Sequence, residues 1–215
     1  MTRRFEAFLF DFGGVFTDSP FTAVEDFGRA IGADPSRVSA IVFGSYEHDG
    51  EHPWHRLERG EIALEAARES ILALGREGGL EVDIYQLFAR MAGNDAGAAS
   101  RGVLLEAVRG LRGAGYRTGI VTNNVREFGD GWRALIPVEE LFEFVVDSSH
   151  AGVRKPDPRI FALALERLGR PDPARCVFLD DHPANVAAAQ ALGMRAIHVG
   201  PDPAVTVEAI ERLLD

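Results

Sequence analysis

Acidic side chains follow two of the apolar runs in this sequence. Asp11 comes directly after residues 8–10 and shortly before two glycines, while Asp180 and Asp181 follow residues 176–179. Glycine lets a backbone approach a ligand closely, although an aspartate in this setting often only caps a turn. Two adjacent carboxylates repel each other unless a cation lies nearby, and hard oxygen ligands suit Mg²⁺. The acidic pair therefore predicts a magnesium site.

Two further positions carry groups suited to phosphate. Thr122 and Asn123 follow the apolar run 117–121, and the sequence predicts that a helix begins there. Exposed helix N–H groups beside a hydroxyl bind phosphate, but the same residue types are common helix caps. Lys155 lies between a glycine turn and a proline-stiffened helix start, which can aim its ammonium group at a fixed point; most lysines are simply solvated. The order of all these groups is more specific than any one of them.

The apolar runs themselves predict the elements that position these residues. Five runs have the length and continuous apolarity of buried strands: residues 6–10, 117–121, 144–146, 176–179 and 195–199. Helical patterns separate the last four, so right-handed crossovers and a doubly wound parallel α/β sheet are expected. Ligands bind such sheets beyond the carboxyl ends of the strands. The chemistry-bearing residues are therefore expected to meet at one edge.

The stretch from residue 17 to residue 97 is too long for a crossover and shows only helical periodicity. Amphipathic helices are predicted at residues 21–31, 36–43, 61–74 and 82–91. This stretch is interpreted as an inserted all-helical cap. Residues 1–16 and 98–215 then form the α/β core.

Composition narrows the possible partners and location. The chain has 215 residues and a formal charge of −10, which disfavours binding to nucleic acid or to an anionic membrane. Its single cysteine, Cys176, lies in an apolar run and is expected to be buried and unpaired, as in a cytoplasmic protein. Glu6 and Asp11 interrupt the N-terminal apolar segment, so neither a signal peptide nor a membrane span is expected.

Taken together, the aspartate after the first strand, the threonine after the second, the lysine before a helix and the paired aspartates resemble the haloacid dehalogenase-like hydrolase superfamily, with its Rossmann-like core. The resemblance covers the whole chain, including the helical cap of that superfamily's first subclass. Residues 56–62 and 152–158 are most similar to the phosphatase-type N-terminal domains of soluble epoxide hydrolases.

The resemblance implies a role for each motif residue. Asp11 would be the nucleophile that forms an aspartyl-phosphate, and Lys155, oriented by Asp180, would neutralise the developing charge. Thr122 and Asn123 would bind the phosphoryl oxygens. The implied ligands of Mg²⁺ are Asp11, the backbone carbonyl of Gly13 and Asp181, with Asn185 supporting the metal loop.

One position departs from the pattern of the superfamily. Its phosphatases usually carry a second aspartate, an acid and then a base, where this chain has Gly13. The acid could come from the predicted cap, in which His48, Asp49, His52 and His55 are close in sequence. These four residues could also form a zinc site, although Pro53 disfavours one regular helical face, or they could be a solvated loop.

A Mg²⁺-dependent phosphatase of a small phosphorylated metabolite, acting as a monomer or homodimer, is the function that the sequence favours. One alternative is a 2-haloacid dehalogenase, which uses the aspartate without metal; the retained Asp181 opposes it. Another is a binding or regulatory protein that has lost turnover along with the acid at position 13.

Overall fold

A parallel β-sheet forms the centre of the computed structural model, which describes residues 3–92 and 98–214. The strands are β1 (Ala7–Phe10), β2 (Arg117–Thr122), β3 (Val145–Asp147), β4 (Cys176–Asp180) and β5 (Arg195–His198). Within the described ranges they lie in the order β3-β2-β1-β4-β5, and all neighbouring pairs are parallel. The predicted doubly wound sheet is confirmed, and each strand begins and ends within about one residue of its predicted bounds.

The middle of this sheet contains the point where the strand order reverses. Phe10 of β1 pairs with Ile120 of β2 on one side and with Leu179 of β4 on the other. The chain fills the β2 side first and later crosses to β4, which opens a crevice at the carboxyl end of β1. Asp11 lies there.

Between β1 and residue 92 the described chain is helical, and we call residues 20–92 the helical segment. Its helices are α1 (Pro20–Ala30), α2 (Pro35–Phe43), α3 (Pro53–Glu58), α4 (Leu64–Glu77) and α5 (Ile84–Ala92). Side chains such as Phe27, Val38, Leu57 and Ile71 join in a hydrophobic cluster of this segment. The division into a core and a cap stays a prediction. Its boundary at residue 97 falls outside the described residues, as do residues 1, 2 and 215 of the predicted core.

Helix α3 agrees with one expectation about this segment. Pro53 occupies the first turn of the helix, where its missing N–H is not needed, so His48, Asp49 and His52 lie before the helix and share no regular helical face with His55. His52 caps the helix by accepting the Trp54 N–H at Nδ1, at 3.2 Å. Helix α4 begins at Leu64 rather than at 61, because Arg59 Nε binds Glu61 at 2.6 Å within the preceding turn.

The remaining helices cover the sheet and connect its strands. They are α6 (Ala98–Gly113), α7 (Val138–Leu141), α8 (Ser148–Ala151), α9 (Pro158–Arg167), α10 (Pro183–Ala191) and α11 (Pro203–Leu214). Phe8 and Phe10 of β1 pack in a cluster with Val108 of α6, whereas Leu9 packs in a second cluster with Phe161 of α9. Alternate residues of β1 thus face opposite hydrophobic layers, which explains its continuous apolarity.

The helix predicted to begin at Thr122 is wrong. Residues 123–125 are irregular, and short 3₁₀ turns at Arg126–Phe128 and Gly131–Leu135 follow. The side chain of Asn124 donates to Asp147 at 2.8 Å and accepts the Val125 N–H at 2.9 Å, so it competes with helical backbone bonding. Gly129, with φ 55°, then ends the first turn.

Candidate active site

Asp11 and Lys155 form the centre of the candidate site. Asp11 is nearly buried at the end of β1, and its Oδ1 accepts the Phe12 N–H at 2.6 Å. Lys155 is fully buried, and its Nζ lies 2.7 Å from Asp11 Oδ2 and 2.7 Å from Asp180 Oδ2. One ammonium group therefore joins the carboxylates that follow two neighbouring strands.

The two aspartates that end β4 differ in their surroundings. Asp180 is fully buried and accepts bonds from the His182 N–H, from Asn185 Nδ2 and from Lys155 Nζ at 2.7–3.1 Å. Asp181 is partly exposed and accepts from Ser19 Oγ at 2.5 Å. Asp180 thus has both oxygens committed to nitrogen donors, while Asp181 faces the cleft.

These three carboxylates crowd one another. Asp11, Asp180 and Asp181 each offer an oxygen within 4.8 Å of the other two. Burial raises the pKa of Asp11 well above its ordinary value against the opposing pull of Lys155. Burial and the charge of Asp180 raise the pKa of Asp181 to about 6. Although burial disfavours its charged form, Asp11 and Asp180 raise the pKa of Lys155. The cluster has the electrostatics of a cation site.

Thr122 and Asn123 lie at the same edge of the sheet, and both line the cleft. The side chain of Asn123 holds the backbone of Lys155 on two sides: Oδ1 accepts its N–H at 2.8 Å, and Nδ2 donates to its carbonyl at 3.1 Å. Asn185 binds Asp180 from α10. The sequence-predicted residues are therefore brought together, with Asn123 and Asn185 holding their neighbours.

Two adjacent glycines in the loop after Asp11 differ in the space around them. A Cβ added at Gly13 would meet Pro20 Cδ at 3.7 Å, an ordinary contact. Gly14 has φ +71°, and a Cβ there would overlap the carboxylate of Asp181. Position 13 therefore has room for a Cβ, and position 14 does not.

A cavity of about 810 Å³ opens beside these groups. Asp11, Thr122 and Asp181 line it together with many apolar side chains. Its aromatic lining comes from the helical segment, from Phe12 after β1 and from the chain after β2, and includes Phe21, Tyr46, Trp54, Phe88, Phe128 and Trp132. The helical segment and the strand ends thus enclose one space.

The histidines of the helical segment lie elsewhere. His48, Asp49, His52 and His55 do not line this cavity, although Trp54, from the same stretch, does. Trp54 lies on one face of α3 and His55 on another. Burial and, after it, the positive charge of Arg154 lower the pKa of His55 to about 3. The alternative of a substrate-facing segment stays a prediction, since Trp54 of this stretch lines the cavity while these four side chains do not. Zinc finds no support, since the ligand cluster of the described residues is the acidic one.

Sequence reasoning assigned no role to four residues that the structure brings to the site. Ser19 binds Asp181, and Tyr46, Glu58 and Arg154 form contacts described below. Arg154 adjoins the lysine motif, and Tyr46 is an isolated aromatic residue in a polar stretch. Those were the available signals.

Two other expectations concern the rest of the chain. Cys176 is buried, and burial raises the pKa of its thiol to about 12. This agrees with the expected inert cysteine. No helix in the described ranges combines the length and the apolarity that crossing a bilayer requires.

Comparison with known families decides the relationship that the site suggests. The sequence profile of the haloacid dehalogenase-like hydrolases matches residues 5–193. The chain belongs to the haloacid dehalogenase-like hydrolase family. The match spans β1 to β4, the helical segment and the strand ends that carry the candidate site, so the predicted family is confirmed.

Three relatives show how this hydrolase compares with known proteins. Acyl-CoA dehydrogenase family member 10 of Mus musculus is 31% identical over 99% of this chain and 19% of its own length. Bifunctional epoxide hydrolase 2 of Mus musculus is 30% identical over 74% of this chain and 30% of its own length. The chain thus spans less than a third of these two proteins. Sesquiterpene phosphatase astK of Aspergillus oryzae is 28% identical, over 97% of this chain and 96% of its own length.

A solved structure shares the fold. The HAD family enzyme bt-2542 of Bacteroides thetaiotaomicron, in complex with magnesium and inorganic phosphate, superposes with a TM-score of 0.56 at 21% identity. The superposition covers 91% of this chain and 94% of that one. At this identity the likeness supports the fold of the hydrolase.

Proposed function

We propose that this hydrolase is a Mg²⁺-dependent phosphatase of phosphate monoesters whose alcohol carries a large apolar group. The observation that carries the proposal is the ion-paired cluster of Asp11, Lys155 and Asp180 beside a mainly apolar cavity that Asp11 and Asp181 line. A phosphoryl group in that cavity would meet a carboxylate nucleophile, with an ammonium group directly behind it.

The charges of the cluster fit a divalent cation. Three ionised carboxylates around one ammonium group leave an excess of two negative charges, which a single Mg²⁺ would balance. Asp180 is saturated by nitrogen donors, so Asp11, Asp181 and the backbone carbonyl of Gly13 are the residues that would hold the ion. When bound, Mg²⁺ supplies positive charge that stabilises the phosphoryl oxygens and neutralises the acids.

The residues then divide the reaction between them. The carboxylate of Asp11 attacks phosphorus, and the bond from phosphorus to the alcohol oxygen breaks as the aspartyl-phosphate forms; the alkoxide takes a proton from solvent. Water then attacks that phosphorus and gives up a proton to solvent, and the bond from phosphorus to the Asp11 oxygen breaks, which releases inorganic phosphate and restores Asp11. Lys155 supplies positive charge throughout, and Asp180 fixes its direction at 2.7 Å. Thr122 lines the cavity as a hydroxyl donor to the phosphoryl oxygens.

We assign the side chain of Asn123 to holding Lys155 rather than to binding phosphate. Both polar atoms of its amide are already bonded to the backbone of Lys155 at 2.8 and 3.1 Å. Its contacts keep the lysine loop beside the end of β2.

The leaving alcohol lacks its usual proton donor because position 13 is glycine. General acid help is worth roughly 10²–10⁴ in rate, so alcohols that leave as stable anions are expected to react fastest. The four-residue group at His48 does not supply the acid, since it lies outside the cavity.

The apolar lining indicates what the alcohol carries. Rings such as Phe21, Trp54 and Phe88 offer contact to hydrocarbon, and most of the exposed lining is apolar. The name of the relative astK, a sesquiterpene phosphatase, points to the same chemistry for that protein. Burial of a hydrocarbon group would contribute binding free energy in proportion to its area.

The test compares a series of straight-chain alkyl phosphates with an aryl phosphate and a sugar phosphate, each with Mg²⁺ and with a chelator. We expect kcat/KM to rise with chain length, the sugar phosphate to be poor, and every activity to stop in the chelator. A flat series with efficient cleavage of the sugar phosphate would contradict the proposed substrate class.

Two further outcomes separate the alternatives. Release of halide from a chloroacid, undiminished in the chelator, would show a dehalogenase. Binding of alkyl phosphates without any turnover would show a protein that keeps the fold and the pocket but has lost catalysis.

A further inference from the structure

Tyr46, in the loop between α2 and α3, touches three of the four strand-end loops of the site, those after β2, β3 and β4. Its hydroxyl accepts a hydrogen bond from Asn123 Nδ2 at 3.1 Å, after β2. Its ring lies 4.3 Å from the guanidinium carbon of Arg154, after β3. The centroid of the same ring is 4.8 Å from that of His182, which follows Asp181 after β4.

Glu58 of α3 connects this tyrosine to the core by a second route. One carboxylate oxygen accepts the Tyr46 hydroxyl at 2.8 Å, and the other accepts Arg154 Nε at 2.6 Å. Both Glu58 and Arg154 are buried, with Arg154 fully so. A charged pair at this depth is stable only with good geometry, and removing one partner leaves the other charge buried and unpaired.

These contacts form a closed network around the lysine motif. From Arg154 the network passes through Glu58, Tyr46 and Asn123, and returns to the backbone of Lys155. Arg154 and Lys155 are adjacent in sequence. The lysine is therefore held on one side by its own neighbour and on the other by Asn123, and the helical segment links the two.

We propose that Glu58 and Tyr46 are positioning residues for Lys155, so that docking of the helical segment sets where the ammonium group lies. Lys155 Nζ reaches Asp11 and Asp180 at 2.7 Å only while its backbone stays in place. A displacement of about 1 Å at a reacting centre costs roughly 10²-fold in rate. The contact network is independent of the reaction, whereas its catalytic consequence rests on the proposed function.

The first test needs no activity. The backbone N–H of Lys155 donates to Asn123 Oδ1, so the rate of hydrogen exchange at this amide reports whether the closed network is intact. Tyr46→Phe keeps the aromatic ring packed on Arg154 and removes both hydrogen bonds of the hydroxyl. Glu58→Gln removes the negative charge that pairs with Arg154. We expect each change to speed exchange at the Lys155 amide by roughly tenfold.

The matched control breaks a different ion pair of the helical segment. Asp83 pairs with Arg68 at 2.7 Å, and neither residue lines the cavity. Asp83→Asn is expected to leave exchange at Lys155 unchanged even if it lowers Tm. Unchanged exchange in both Tyr46→Phe and Glu58→Gln would overturn the proposal, whatever reaction the protein catalyses.

Kinetics on a small aryl phosphate test the catalytic half. We expect kcat to fall roughly 10–10²-fold in each variant. KM should stay within about twofold, because both substitutions keep the size of a side chain that lines the cavity. The double variant should lose no more kcat than the worse single variant, since both substitutions break the same closed network. Additive losses, or faster exchange with unchanged kcat, would reject a positioning role. Absence of activity in the unaltered protein would instead reject the proposed function and leave the exchange result standing.

Discussion

The strand ends and the helical segment line one cavity with different chemistry. The strand ends contribute the acids Asp11 and Asp181 and the hydroxyl of Thr122, whereas the helical segment contributes mostly apolar side chains such as Trp54 and Phe88. Hydrogen bonds from nitrogen donors hold the acids in place, whereas hydrophobic packing holds the aromatic side chains of the helical segment. The difference indicates a division of labour: every substrate meets the same acids, and the rings distinguish one alcohol from another.

The largest expected effect lies at the strand ends. Asp11→Asn keeps the size of the side chain and removes the nucleophile, so kcat should fall about 10³-fold or more on every phosphate ester. Because Asp11 is buried beside two other acids, and Lys155 keeps its ion pair with Asp180 when Asp11 is replaced, the metal-free protein should lose little thermal stability. Steady-state kinetics and thermal melting measure both. Substantial residual turnover would remove the strand ends from the chemistry.

The next effect concerns Asp181 and pH. Burial and the charge of Asp180 raise the pKa of Asp181 to about 6, from an ordinary value of ~3.9. Between these two pH values the folded protein holds more protons than the unfolded chain. The metal-free protein should therefore lose stability as pH rises through about 6. Asp181→Asn should remove this loss, which amounts to roughly 3–6 °C in Tm.

Magnesium should show the opposite behaviour at this position. Above about pH 7 it should raise the Tm of the unaltered protein and leave that of Asp181→Asn nearly unchanged, because one anionic ligand is gone. Melting curves with Mg²⁺ and with a chelator give this comparison. Equal stabilisation of both proteins would place the cation elsewhere.

The two glycines after Asp11 predict a smaller effect of opposite sign. Gly13→Asp adds the missing acid where there is room for a Cβ, and should speed the cleavage of alkyl phosphates roughly 10–10²-fold. Aryl phosphates, whose leaving groups hardly need a proton, should gain less. Gly14→Ala is the control and should lose activity, because its Cβ overlaps Asp181. If Gly13→Asp melts normally and alkyl phosphates gain nothing, a missing acid does not limit this enzyme.

The smallest expected effect belongs to the rings. Phe88→Ala on α5 should lower kcat/KM for a long-chain alkyl phosphate by roughly 3–10-fold, and leave a short one unchanged, because only the long chain contacts the ring. Tyr85→Ala, on the exposed side of the same helix, should leave both unchanged. Equal losses on long and short substrates would erase the division between the two sides of the cavity.

The sequence was most informative where residue type and position are tied to a strand end. All five strands and the meeting of Asp11, Lys155, Asp180 and Asp181 follow from apolar runs and the geometry of parallel sheets. The family resemblance added the roles of these residues, which remain proposals.

What the sequence did not reveal depends on how the helical segment docks. The aromatic lining and the closed network through Tyr46, Glu58 and Arg154 join positions about a hundred residues apart, and no local sequence pattern encodes such pairings. The position of the histidines near His52 could not be predicted, because the packing of the helical segment decides that Trp54 and not His52 or His55 lines the cavity. The loop after β2 misled because side-chain bonds of Asn124 replaced a helix.

The most direct test of the account is to look for phosphate on Asp11 itself. The enzyme is mixed with Mg²⁺ and an aryl phosphate, quenched in acid within one turnover, digested and examined by mass spectrometry. The account predicts a phosphoryl group on the peptide that contains Asp11, lost in Asp11→Asn and in the presence of chelator. Product release through several turnovers, with no phosphoryl group on that peptide at any quench time, would contradict it.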